Sequence, residues 1–133
     1  MAIIEWQDKF SVQITQIDEQ HKCLVKMINQ LHDAMAAGSG KEALDTILVQ
    51  MKAYCKTHFD TEEQLFAIHG YPEAQAHHQE HQKFIDKVDQ IIEKSKKSKI
   101  GLSMEVMTFL KEWLTHHILQ VDQAYAPFLR ARM

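Results

Sequence analysis

Seven side chains able to bind a metal fall in four separate stretches of the chain: His21, then His58 with Glu62, His77 with His81, and His117 with Asp122. Imidazole suits iron, zinc and copper, and added carboxylate shifts the preference toward harder ions. His58–Glu62 and His77–His81 are each four residues apart, which puts both members of a pair on one helix face. His117 and Asp122 are five apart, about 140° around a regular helix. A π-bulge holding one extra residue would bring them together, and such bulges concentrate at functional sites. Beyond His117 the buried seam continues either as Val121, Ala124, Phe128 or as Asp122, Tyr125, Leu129. We expect the second, with a local bulge or bend between His117 and Pro127. Most of the seven occupy positions that read as buried, where a titratable group is costly unless something pairs with it. A metal centre accounts for all of them at once.

The elements that must position these groups read as four amphipathic helices behind an N-terminal arm, residues 1–17. Asp18 is a good N-cap residue, so the first helix is expected over about 18–37, with a seam of His21, Leu24, Ile28, Leu31 and Met35. Steps of three and four are those of a bundle-facing stripe. The second helix, about 41–69, carries Leu44, Leu48, Met51, Cys55, His58, Glu62 and Leu65, and Gly70 and Pro72 stop it. The third, about 73–97, carries His77, His81, Phe84, Val88 and Ile91. The fourth, about 103–129, follows Leu102 with Val106, Leu110, Trp113 and His117. Nothing alternates like a strand. Four helices with short connections predict an all-α, antiparallel up-down-up-down four-helix bundle in one domain, residues 1–133. In that topology, at about 1.5 Å of rise per residue, the seven groups all lie roughly 5–18 Å from one end. They can therefore converge.

Composition removes several function classes. Net charge is −3, with 25% charged and 45% hydrophobic residues, so no nucleic-acid partner is expected. The lysines between Lys94 and Lys99 read as a helix C-terminus, where cations meet the negative end of the dipole. No apolar run approaches the length of a membrane span, and the opening Met-Ala-Ile-Ile-Glu-Trp does not read as a secretion signal. Cys23 and Cys55 do not form a disulfide framework, and a reduced, cytoplasmic protein is expected. His32, His69, His78 and His116 read as structural or exposed.

Five imidazoles and two carboxylates exceed the four ligands of a structural zinc. Two six-coordinate ions sharing bridging carboxylates would use all seven, and mixed ligation of this kind inside a helical bundle points to two irons. With these residues in view, the chain resembles the bacterial hemerythrins. The resemblance covers Trp6, Asp18-Glu19-Gln20-His21, His58-Phe59 with Glu62-Glu63, Gly70-Tyr71-Pro72, His77 with Glu80-His81, and Trp113-Leu114 leading into His117-Ile118 and Asp122. It implies that His77, His81 and His117 hold one iron and that His21 and His58 hold the other. Glu62, Asp122 and an oxo or hydroxo group would bridge them. It also implies that dioxygen binds at an open position on the two-histidine iron. Leu24, Phe59, Trp113, Leu114 and Ile118 match or adjoin the family's apolar oxygen pocket.

The ligand set bears on what such a centre does. Di-iron bundles with oxidative chemistry typically supply four glutamates and two histidines. Anionic ligands favour the high-valent iron that cleaving dioxygen requires, and here the ligands are mostly neutral. The expectation is therefore reversible oxygen binding for storage, transport or delivery, without enzymatic turnover, and with delivery to an oxygen-using or signalling partner. The alternatives are an oxygen- or nitric-oxide-responsive sensor, or a di-iron enzyme on the same scaffold.

Overall fold

The structure is a computed structural model that describes residues 4–37, 40–97 and 103–133. Helix α1 spans Thr15–Ala36, α2 Gly40–His69, α3 Ala74–Lys97 and α4 Ser103–His116. A π-helical stretch, His117–Asp122, follows α4 without a break, and α5, Gln123–Arg132, completes the fourth rod. There is no strand among the described residues. Contacts between named side chains fix the topology. Gln20 near the start of α1 reaches Thr61 near the end of α2. Phe66 late in α2 packs on His77 early in α3, and His77 also packs on Tyr125 late in the fourth rod, while Phe84 further along α3 stacks on Trp113 in α4. Each neighbour runs antiparallel to the last, which makes the expected up-down-up-down bundle.

The first helix begins at Thr15, not at Asp18, because Asp18 caps the arm instead of the helix. Its carboxylate accepts the Val12 backbone N–H at 2.8 Å and the Ser11 hydroxyl at 2.5 Å, satisfying donors that a chain entering a helix would otherwise leave open. The arm therefore ends at Ile14 rather than residue 17, and the fourth rod runs to Arg132 rather than 129. Asn29 grips the arm further back, donating to the Ile4 carbonyl at 2.9 Å and accepting the Ile4 N–H at 3.1 Å. Gln123 donates to the Ser11 carbonyl at 3.0 Å, tying the same arm to α5. At the far end of α2, Gly70 takes φ +69, the left-handed conformation that glycine adopts without strain. The Tyr71 N–H then returns to the Phe66 carbonyl at 3.0 Å and closes the helix.

The seams bury as read, with three exceptions. Phe66, not Leu65, is buried after Glu62; a step of four keeps it in line with His58 and Glu62. Met35 and Trp113 are only partly buried. The side chains of Leu44 and Leu102 lie outside the described residues. Beyond His117, Asp122, Tyr125 and Leu129 are buried, together with Ile118 and Ala126, while Val121 and Phe128 are half-buried and Ala124 is exposed. This is the seam that requires a bulge, and the π-helical stretch supplies it.

Two apolar clusters result. The larger fills most of the bundle and includes Leu24, Phe59, Phe84, Leu114 and Ile118. The smaller joins the arm's Val12 and Ile14 to Ile17, Phe66, Tyr125 and Leu129. On three of the four rods a metal-binding candidate falls between members of the two clusters: His21 between Ile17 and Leu24, Glu62 between Phe59 and Phe66, Asp122 between Ile118 and Tyr125. A polar layer is thus enclosed on both sides by apolar packing.

Candidate metal centre

All seven candidate ligands are 3% exposed or less. They come from α1 (His21), α2 (His58, Glu62), α3 (His77, His81) and the two ends of the π-helical stretch (His117, Asp122), and the structure brings all seven together. Their ligating atoms form two groups, in each of which every atom lies within 4.8 Å of the others. One group is Glu62, His77, His81 and His117; the other is His21, His58, Glu62 and Asp122. Glu62 belongs to both. Its Oε1 lies 3.0 Å from His81 Nε2 and 3.3 Å from His58 Nε2. Asp122 also faces both sides, with Oδ2 2.9 Å from His21 Nε2 and Oδ1 2.9 Å from His117 Nε2.

The donor atoms test whether a metal fits. The Nε2 atoms of all five histidines, Glu62 Oε1 and both Asp122 oxygens are buried and make no hydrogen bond within the protein. Buried polar groups are otherwise almost always satisfied, and leaving one unsatisfied costs on the order of 1–3 kcal/mol. Eight such atoms turned toward a common centre fit cations, which imidazole nitrogen and carboxylate oxygen ligate directly.

Groups behind the candidate ligands set their orientation. His58 Nδ1 donates to Gln20 Oε1 at 2.6 Å, and Gln20 is itself anchored on Thr61 at 3.2 Å. With its proton on Nδ1, the His58 ring presents the Nε2 lone pair to the centre. His81 Nδ1 faces Glu63 Oε2 at 3.4 Å, and the other Glu63 oxygen meets His78 Nδ1. Tyr125 donates its hydroxyl to Glu62 Oε2 at 2.5 Å. Rings also brace rings: Phe59 stacks on His81 at 3.8 Å and Trp113 on His117 at 4.5 Å. Of the expected oxygen-pocket residues, Leu24, Trp113 and Leu114 line a narrow apolar gap with Met51 and Cys55. Phe59 and Ile118 are buried in the same cluster. The sequence reading assigned no role to Gln20 or Glu63 and placed Tyr125 only as a seam residue.

Electrostatics divide the histidines. Burial outweighs the nearby carboxylates at His58 and pulls its pKa down to about 4, so this ring is neutral at pH 7. Burial also opposes charge on His117, but the Asp122 and Glu62 carboxylates outweigh it and raise that pKa to about 10. His77 moves up for the same reason. Burial raises Glu62 and Asp122, yet the surrounding imidazoles more than reverse this and hold both carboxyls below their usual range. Tyr125 is driven well up by burial and by the two carboxylates, so it stays a neutral donor.

Two predictions follow from the geometry and charge. Ligation needs a neutral imidazole, and His117 holds its proton at pH 7. Loading the metal-free protein with a divalent ion should therefore release protons, and apparent affinity should rise with pH up to about 10. A pKa raised by folding also stabilises the folded state. For His117 that contribution is complete below about 6.5 and fades as pH climbs through about 10. The metal-free protein should thus lose stability in that window. Calorimetry in buffers of differing ionisation enthalpy tests the first effect, and absence of proton release would refute it. Second, replacing His78 or His116, both exposed, with Gln should leave metal stoichiometry unchanged. Loss of metal from either would show that the wrong neighbour had been taken as the ligand.

Residues 12–129 match the family model described as the hemerythrin HHE cation binding domain. The chain is 34% identical over 133 residues to the bacteriohemerythrin of Stenotrophomonas maltophilia (strain R551-3), covering 100% of this chain and 86% of that one. It is 31% identical over 135 residues to the bacteriohemerythrin of Methylococcus capsulatus (strain ATCC 33009 / NCIMB 11132 / Bath), covering 98% of this chain and 100% of that one. In three dimensions it is similar to a crystal structure of wild-type hemerythrin, with a TM-score of 0.88 at 29% identity over 96% of this chain and 98% of that one.

Proposed function

This chain belongs to the hemerythrin family, and we propose that it binds molecular oxygen reversibly at a non-haem di-iron centre, for storage, transport or delivery. The observation that carries this reading is the set of five inward-facing, unbonded Nε2 atoms gathered around two buried carboxylates. His77, His81 and His117 would hold one iron, and His21 and His58 would hold the other. Glu62 and Asp122, which face both groups, would be shared between the irons, with an oxo or hydroxo group as the third bridge. When bound, the iron pair supplies the two electrons that reversible oxygen uptake requires.

The chain's own residues do the rest. Gln20 fixes the ring of His58, and Phe59 and Trp113 lie flat against His81 and His117, so the ligands are held rigidly before any gas arrives. Tyr125 keeps its proton and steadies the bridging Glu62. Leu24 and Leu114 line the apolar gap, with Ile118 buried in the same cluster, and this apolar surface excludes water and suppresses the side reactions that end reversibility. The ligand set contains only two carboxylates, which supports binding over oxidative turnover. Two free cysteines support a reducing, cytoplasmic setting.

The test uses the full chain loaded with ferrous iron under anaerobic conditions. About two irons per chain are expected, with a visible absorption band that develops on adding oxygen and vanishes on removing it. Irreversible oxidation on first exposure would instead favour an enzyme or sensor. Fewer than two irons would refute the centre itself.

A further inference from the structure

The back atoms of two ligand rings meet acceptors of unlike charge. His58 Nδ1 meets the Gln20 amide oxygen at 2.6 Å, whereas His81 Nδ1 meets a carboxylate, that of Glu63, at 3.4 Å. His58 and His81 fall in the two different ligand groups, so the contrast is between the two halves of the centre. Glu63 is also prevented from swinging away. Its second oxygen is taken by His78 Nδ1 on the next turn of α3 from His81, and α2 holds its backbone next to Glu62.

We propose that Glu63 is a positioning residue that makes the two metal sites electronically unequal, by orienting His81 and strengthening it as a donor to the three-histidine iron. The inference rests on the di-iron reading above. A carboxylate behind a ligating imidazole fixes its tautomer and raises its basicity, and a more basic ligand favours the more oxidised metal. An amide fixes the tautomer without adding charge. The three-histidine half is thereby tuned to give up its electron more readily than the half backed by Gln20. Both arrangements follow from one turn of helix geometry. Gln20 and Glu63 each stand next to a ligand in sequence, and the roughly 100° step between successive residues points each at a ligand on the neighbouring helix: Gln20 at α2, Glu63 at α3.

The experiment compares the iron-loaded full chain with Glu63→Gln, Glu63→Ala and Gln20→Glu. It follows stepwise one-electron redox titration by electron paramagnetic resonance, and loss of ferrous iron to a chelator. Glu63→Gln should raise one of the two one-electron potentials and leave the other in place, or release iron at least about tenfold faster. Glu63→Ala should move the same step further, and Gln20→Glu should lower the other step. Both potentials and the iron-loss rate unchanged in Glu63→Gln and Glu63→Ala would overturn the proposal and leave the di-iron reading standing. A parent protein that does not hold two irons would overturn that reading, and this inference with it.

Discussion

Glu62→Gln is expected to hold fewer than two irons per chain. Glu62 is the one side chain whose ligating oxygen is shared by both groups of candidate ligands, so its replacement acts on both sites at once. The amide keeps the volume and one oxygen for the Tyr125 hydroxyl, which bonds Oε2 at 2.5 Å. What it removes is a negative charge and one acceptor at the centre. If the amide NH2 takes the place of Oε1, it turns a donor toward His58 and His81, which face that atom at 3.3 and 3.0 Å. Changing a group one step behind a ligand typically costs about 10–100-fold in metal affinity. Removing a ligand shared by two ions should exceed that and abolish the second iron under chelator competition. Iron analysis with circular dichroism measures both quantities. An intact helical spectrum with two tightly held irons would exclude Glu62 from the bridging role.

Most of this centre was legible because helix periodicity ties ligand spacing to position. His58 with Glu62 and His77 with His81 follow the i, i+4 rule, and the seams continue through Cys55 and Phe84 into the apolar core. A layer of polar residues on otherwise hydrophobic stripes stands out for that reason alone. The antiparallel topology then brought the four stripes level. The misreadings have equally local causes. Asp18 has the right chemistry for an N-cap, but its carboxylate serves the arm, whose Ser11 and Val12 donors come from a segment without periodicity. Leu65 and Phe66 are both apolar neighbours at the end of a seam, where steps of three and four fit equally well. Only contact with Tyr125 and His77 selects Phe66.

The partners behind the ligands were harder to find. Gln20, Glu63 and Tyr125 act across helices, and side-chain contacts between helices leave no periodic trace in the chain. Gln20 and Glu63 did sit beside ligands in the motifs that carried the family resemblance, yet charged and amide residues next to a seam usually face water. Their function depends on which neighbouring ring they meet, and that depends on the rotation of each helix.

The π-helical stretch allows a test in which the same residues give opposite results according to their order. Exchanging two neighbours, Val121→Asp together with Asp122→Val, preserves composition and places the carboxylate four residues after His117, the spacing a straight helix would need. The exchanged protein is nevertheless expected to lose at least one iron. Val121 is half-buried in the observed register, whereas Asp122 is fully enclosed and faces His21, His77 and His117. Straightening the rod to rescue the carboxylate would rotate everything beyond it, turning Tyr125 and Leu129 outward. Both are 0% exposed, and re-exposing a large apolar side chain costs about 1.5–3 kcal/mol. It would also break the bond from Gln123 to the arm. The bulge should therefore persist and point the displaced carboxylate away from the metals. Deleting the exposed Gln120 should have the reverse outcome. It removes the extra residue, so that His117, Asp122, Tyr125 and Leu129 follow in steps of four, three and four on a regular helix, and two irons should remain bound. Iron stoichiometry of the two variants, with an experimental structure of the deletion protein, decides the matter. Two irons in the exchanged variant, or none in the deletion, would show that the bulge does not set the position of Asp122.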